Sequence, residues 1–261
     1  GLLINFYALT QLRVDPMHWW VGMKDPNLQL LVHGKGIGSP TPQISYPGVT
    51  IKKLSKADSP NYLFIDLVIS KTARPGSFDI RFMEKGKQVA VCEYQLNKRV
   101  AGAGIQQGFN SSDLIYLITP DRFANGDPSN DIVKGMREEK IDRLHGYGRH
   151  GGDIRGIIRN LDHIRDMGFT AIWPTPMLEN DMKESSYHGY AITDFYKVDP
   201  RMGTLEDYQE LANACEAKGI KLIFDGVANH TGIEYWWMMD LPFRNWINYP
   251  DSFQNTNHRR T

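Results

Sequence analysis

The stretch KLIFDGVANHTG, residues 221–232, drives an apolar run, Leu222 to Phe224, into a carboxylate, an amide and an imidazole: Asp225, Asn229 and His230. In a strand, Asp225, Val227 and Asn229 fall on one face, with Asn229 and His230 at its mouth. Such groups at a strand end can hydrogen-bond a polar ligand, although a polar turn satisfying its own backbone accounts for the same residues. A second stretch, TPDRFANGDPSNDI, places the oxygen donors Asn125, Asp127, Asn130 and Asp131 around Gly126 and Pro128. A loop of this kind can wrap Ca²⁺, which takes roughly six to eight oxygens, but ordinary turns have the same composition. In HGGDIRG (150–156), Asp153 reads equally as a donor and as the N-cap of a helix. YHGY (187–190) sets two tyrosines and a histidine around a glycine. Flat faces with polar tips suit sugar rings; a buried aromatic cluster that pins the loop is the alternative.

These residues need elements to hold them. Up to about residue 95 the chain reads as short β segments at 28–34, 49–54, 61–69, 77–84 and 88–96, separated by turn-rich pieces such as GSPTPQ and ARPG. That spacing predicts a small antiparallel sandwich. VAGAGIQQGFNSSD (100–113) reads as a linker. Beyond it, LIYLIT (114–119), FTAIWPT (169–175) and IKLIFDGV (220–227) are continuous apolar runs, the mark of parallel strands covered on both faces. One helix is predicted over 154–167. Another follows Thr204, which forms a capping box with Asp207 and places Leu205, Tyr208, Leu211, Ala212 and Cys215 on one face. Strand, helix, strand, helix, strand is an α/β pattern, in which ligands gather at the carboxyl ends of the strands. The connection from 174 to 204 is long and irregular, as functional loops are.

Bulk composition excludes several classes. Thirty basic residues balance 30 acidic ones, which leaves no net field to attract nucleic acid. No apolar run approaches the ~20 residues of a membrane span. Cys92 and Cys215 fall in different segments and predict no disulfide framework. The run at 2–11 reads either as a first strand or as the end of a secretory signal, the latter placing the protein in the periplasm or outside the cell and the former leaving it cytoplasmic. The glycine-rich GKGIGSPTPQ and AGAGIQQG open no helix and so cannot present a helix N-terminus to a phosphate.

Taken together, these pieces resemble the α-amylase family of glycoside hydrolases (family 13), in its neopullulanase and cyclomaltodextrinase branch. PMHWWVGMKDPNLQLLVHGKGIG (16–38) is similar to the β domain that precedes the barrel in that branch, IYLITPDRFANGDPSND to barrel strand one and its loop, GFTAIWPTP to strand two, and FDGVANH to the strand-three motif. The resemblance implies an immunoglobulin-like β-sandwich over 1–105, followed over 106–261 by strands one to three of a TIM (β/α)8 barrel. It implies Ca²⁺ held by Asn125, Asp127, Asn130, Asp131, Gly151 (through its carbonyl) and Asp153. It also implies an α-glucan or maltooligosaccharide bound by His188, Tyr190, Asp225, Asn229 and His230, with Tyr190 stacked on the sugar before the cleaved bond.

The family reaction is retaining hydrolysis of α-1,4 or α-1,6 glucosidic bonds by an aspartate nucleophile, a glutamate acid/base and a stabilising aspartate. None of the three matches a position here. GMREE (135–139) has Glu139 where the Gly-x-Arg-x-Asp motif has its aspartate, and it precedes strand two. The expectation is therefore the front half of an enzyme, inactive alone, with the three catalytic residues downstream. The branch also implies a homodimer through the N-terminal domain, to which Trp19 and Trp20 contribute unless they are core residues. Two rivals stand beside this reading: a non-catalytic α-glucan-binding protein, and an unrelated α/β protein with a coincidental DGVANH.

Overall fold

The structure, a computed structural model, describes residues 12–100, 102 and 108–252. The run at 2–11 lies outside the described residues. The fold separates into two compact units: residues up to 106 together with those from 240 onward, and residues 107–239.

Eight strands build the first unit: β1 (Arg13–Asp15), β2 (His18–Trp20), β3 (Asn27–His33), β4 (Thr41–Ile44), β5 (Val49–Lys56), β6 (Tyr62–Ile69), β7 (Gly76–Glu84) and β8 (Lys87–Asn97). They form two four-stranded sheets, ordered β1-β3-β6-β5 and β2-β8-β7-β4. All neighbours are antiparallel except β2 beside β8. Alternation decides the faces: in β7, Phe78, Ile80 and Phe82 are buried while Ser77, Asp79 and Arg81 stay in solvent. They join Leu30, Val32, Ile65 and Leu67 of the other sheet in one core. Each such side chain contributes roughly 1.5–3 kcal/mol by leaving water. Lys85 and Gly86, with φ of +49° and +77°, close the β7–β8 hairpin, the left-handed pair that matches the twist of its strands. The five β segments read from the sequence are β3, β5, β6, β7 and β8. The three it misses, β1, β2 and β4, are short edge strands, and Pro42 is tolerated in β4 because one side of that strand needs no donor. Trp19 packs partly buried on the core and meets Trp20 edge-on.

β6 is buried on both faces from Tyr62 to Ile65, which a two-layer sandwich alone does not explain. The cover is chain that returns after residue 239. Phe243 stacks on Phe64 at 5.9 Å between ring centroids, and Trp246 lies 6.2 Å from the same ring. The carboxylate of Asp240 accepts hydrogen bonds from Ser59 Oγ (2.8 Å) and Asn61 Nδ2 (2.9 Å) and pairs with His33 Nε2 (3.1 Å). The Pro242 carbonyl accepts from the backbone of Asp58 and Ser59. These hydrogen bonds, together with partial burial that opposes them, leave the Asp240 carboxyl below its ordinary range.

The second unit contains β9 (Ile115–Ile118), α1 (Pro120–Phe123), α2 (Ile154–Arg159), α3 (Leu161–Asp166), β10 (Ala171–Pro174), β11 (Leu178–Glu179), β12 (Asp194–Val198), α4 (Leu205–Ala217) and β13 (Lys221–Leu222). β9, β10 and β13 make a parallel sheet in chain order. Ile154, Ile157, Leu161 and Ile164 pack with Ile118, Ile172, Leu211 and Cys215, so the helices cover one face of the sheet. On the other face Leu117 and Trp173, paired in register, are 59% and 39% exposed. The sequence reading of strands covered on both faces holds in part: Ala171, on the same side of β10 as Trp173, is fully buried, while Leu117 and Trp173 are open.

Two further expectations change. The helix over 154–167 is broken at Asn160, whose side chain turns back to the Gly156 carbonyl at 2.8 Å and competes with the helical ladder. The strand over 220–227 shrinks to Lys221–Leu222. Lys221 N–H donates to Thr170 and Ile223 N–H to Ile172, and the next rung requires a donor at Pro174, which has none. α4 forms as read, with both halves of the Thr204–Asp207 capping box present.

Replacing Asp240 with alanine leaves the Ser59 and Asn61 donors without their acceptor. The expected loss is about 1–3 kcal/mol of sandwich stability, measured as a lower urea midpoint followed by tryptophan fluorescence.

Candidate functional site

Because β9, β10 and β13 run parallel, their carboxyl ends share one rim, and the loops after them meet there. Asp225 lies just past β13. Its Oδ2 accepts the Tyr190 hydroxyl at 2.8 Å and the Trp173 indole N–H at 3.0 Å. His230 Nε2 donates to the Tyr190 carbonyl at 3.1 Å, a partner that can only accept, so Nε2 carries the hydrogen and Nδ1 receives Asn229 Nδ2 at 3.2 Å. His188 Nδ1 accepts the Tyr190 backbone N–H at 2.9 Å, and the two rings lie 6.0 Å apart at an interplanar angle of 29°. His188, Tyr190, Asp225, Asn229 and His230 are therefore brought together. Trp173 joins them, although the sequence reading did not single it out; its position next to inward-facing Ile172, on a strand whose side chains alternate, was the available signal.

The electrostatics keep Tyr190 and His188 neutral beside the Asp225 carboxylate. Burial, and then the Asp225 carboxylate, push the Tyr190 hydroxyl up to about 12, so it remains a donor at neutral pH. Burial lowers the His188 imidazole below its ordinary 6.5; the Glu138 carboxylate opposes that shift and His230 adds to it. The Tyr190 ring is 36% exposed and offers a flat face to a ligand.

The loop that presents these rings has its own determinants. Gly189 has φ of +82°, and a Cβ there would sit 1.9 Å from the Pro176 carbonyl oxygen, so only glycine fits. The turn Ser186–His188 is gripped at Ser186, whose N–H donates to Glu138 Oε2 (2.9 Å) and whose carbonyl accepts Asn180 Nδ2 (3.1 Å). The Arg122 guanidinium lies 4.0 Å from the Tyr187 ring centroid, so of the two tyrosines in YHGY one is packed and the other presented. Below them Asp199 and Arg201, each about 1–2% exposed, form a two-point pair at 2.9 and 2.7 Å, and Arg201 also donates to the Asn180 carbonyl.

The oxygen-rich loop divides by role. Asp153 acts as the helix cap: its two oxygens accept the N–H groups of Gly126, Asp127 and Gly156. Three N–H groups, one of them shared between both oxygens, leave the carboxylate with acceptor capacity beyond the cap. Asp127 turns Oδ1 to Ser129. The carbonyl oxygens of the Asn125 and Asn130 side chains are buried without a protein partner, and Asp131 Oδ1 accepts Asn125 Nδ2 at 2.7 Å. A Cβ on Gly151, at φ of +85°, would fall 2.6 Å from Asp131 Oδ1, so its backbone lies against these donors. Among the described residues no three carboxylates, imidazoles or thiols converge as a metal cage. Asn125, Asp127, Asn130, Asp131, Gly151 and Asp153 offer neutral and anionic oxygens of the type a hard cation takes.

Residues 13–100 match a family model for the cyclomaltodextrinase N-terminal domain, and residues 117–259 match that for the α-amylase catalytic domain. The β/α-amylase of Paenibacillus polymyxa is 48% identical over 122 residues, covering 47% of this chain and 10% of that protein. The cyclomaltodextrinase of Thermoanaerobacter pseudethanolicus (38% over 135 residues) shares 51% of this chain and 22% of its own length, and neopullulanase 2 of Thermoactinomyces vulgaris (36% over 128) shares 49% and 21%. The chain thus spans between 10% and 22% of the length of these relatives. With a β-sandwich followed by three barrel-type parallel strands, and with both family models matched in that order, the chain belongs to the α-amylase family of glycoside hydrolases.

Proposed function

We propose that the protein carrying these residues is a retaining hydrolase of α-1,4 or α-1,6 glucans, of neopullulanase, cyclomaltodextrinase or α-amylase type, and that this stretch supplies its sugar-binding rim. The convergence of Tyr190 and Trp173 on Asp225, with His230 on the Tyr190 carbonyl, carries the reading. A glucose ring presents one flat apolar face and a belt of hydroxyls; the exposed Tyr190 ring matches the first, and His188 Nε2 and the Asn229 amide match the second, with His230, held on the Tyr190 carbonyl, bracing that amide. Asp225, held by two donors, acts as a fixed acceptor that keeps Tyr190 in place. Glycoside cleavage with retention requires two carboxyl groups roughly 5 Å apart, and the Gly-x-Arg-x-Asp motif is not present among these 261 residues. The 261-residue chain is accordingly a binder rather than a catalyst by itself. Asn125, Asp127, Asn130, Asp131, Gly151 and Asp153 would hold Ca²⁺, which would supply loop cohesion through its charge and enter no bond-breaking step.

Three outcomes follow for the chain. Calorimetry shows maltooligosaccharide binding, weakened by about tenfold in Tyr190→Ala, the size of a lost aromatic contact plus its hydrogen bond, while no reducing sugar is released; release of sugar, or binding unchanged in the variant, defeats the reading. Chelator lowers the melting temperature of the unaltered chain and has no effect on Asp131→Ala. Binding depends on a neutral His188, since its Nδ1 must accept the Tyr190 N–H. Its folded value lies below 6.5, so affinity holds above that pH and declines as pH falls through the lowered value, read from a binding titration across pH.

A further inference from the structure

Glu138 belongs to no motif and lies in an irregular stretch, GMREEK, whose only sequence interest was a false likeness to a nucleophile motif. It is nevertheless 7% exposed, and a carboxylate is costly to bury without partners. Its position is fixed from the preceding residue. The Arg137 N–H donates to Asp181 at 2.7 Å, and the Arg137 guanidinium bridges Asp181 (3.6 Å) and Glu234 (2.8 Å). Glu138 Oε2 then takes the Ser186 N–H at 2.9 Å, the first residue of the turn that ends in His188. Ser186 is itself 2% exposed and is preceded by Ser185 at φ of +60°, a left-handed conformation that a non-glycine residue keeps only when its surroundings impose it. The buried guanidinium groups of Arg149 and Arg201, nearer to Asp121 and Asp199, lie within electrostatic range of the same carboxylate.

We propose that Glu138 is a positioning residue for the sugar-binding rim: by holding the Ser186 amide it fixes the turn that sets His188 against the Tyr190 N–H and Tyr190 against Asp225. It acts through the loop and touches no ligand. Its charge has a second effect. The groups facing the His188 imidazole are the Glu138 carboxylate, the His230 imidazole and the Tyr187 and Tyr190 rings, and Glu138 is the one anion among them. The inference rests on the glucan reading only for the affinity measurements below.

Two variants separate the effects. Glu138→Gln keeps an oxygen acceptor for Ser186 but removes the charge. Maltooligosaccharide affinity at neutral pH stays within about twofold, while the His188 titration, followed by imidazole NMR, moves to lower pH and takes the acid limb of binding with it. Glu138→Ala removes the acceptor as well, so proteolytic cutting within 185–190 quickens and neutral-pH affinity falls about tenfold, the scale of one charge-assisted hydrogen bond. A third measurement needs no substitution: the Ser186 amide of the unaltered protein exchanges with solvent far more slowly than that of exposed Glu184. An unmoved His188 titration in Glu138→Gln, or a Ser186 amide that exchanges as fast as Glu184, overturns the proposal. Absence of any maltooligosaccharide binding by the unaltered protein overturns the glucan reading instead, leaving the NMR and exchange results to judge Glu138.

Discussion

A carboxylate withdrawn from water must have its oxygens occupied, and in the second unit that requirement organises the chain where regular structure is absent. Asp153 gathers three N–H groups and so ties the loop after β9 to the start of α2. Asp121 accepts the N–H groups of His150 and Gly151, Asp199 those of Asn180 and Arg201, and Glu138 that of Ser186. Loops joined in this way keep a defined shape without strands or helices of their own. The rim that holds Tyr190 and His188 is shaped by these bonds as much as by the sheet beneath it.

This division explains what could be read from the amino acids alone. Period-two alternation in SFDIRFME and the capping pair Thr204 and Asp207 are local signals, and β7 and α4 form where they indicate. The site residues after β13 and in YHGY were legible as types, an acid, an amide, imidazoles and a ring beside a glycine. What joins them was not, because Trp173 reaches Asp225 across 52 positions and Glu138 reaches Ser186 across 48. Long-range acceptors leave no period in the sequence. Asp153 shows the same limit from the other side: the residues around it suggested a helix cap, but not that the same carboxylate also gathers the Gly126 and Asp127 N–H groups from 27 and 26 positions away.

Proline and glycine set boundaries that hydrophobicity does not. Pro174 ends the ladder between β10 and β13 one rung early and frees the backbone from Ile223 to His230 to turn toward the rim. Gly189 allows the 186–190 turn to lie directly on the Pro176 carbonyl. Each removes something, a donor in one case and a side chain in the other, and each omission places a polar group near Asp225.

The return of the chain at Asp240 has a consequence for biosynthesis. All eight strands of the sandwich have emerged by Asn97, yet the Tyr62–Phe64 surface receives Phe243 and Trp246 only after more than 140 further residues have been added. At roughly 5–20 residues per second, a ribosome leaves that aromatic face bare for on the order of ten to thirty seconds. During that interval the nascent sandwich offers a sticky surface, and holding it apart from its neighbours falls to whatever chaperones attend the exit tunnel.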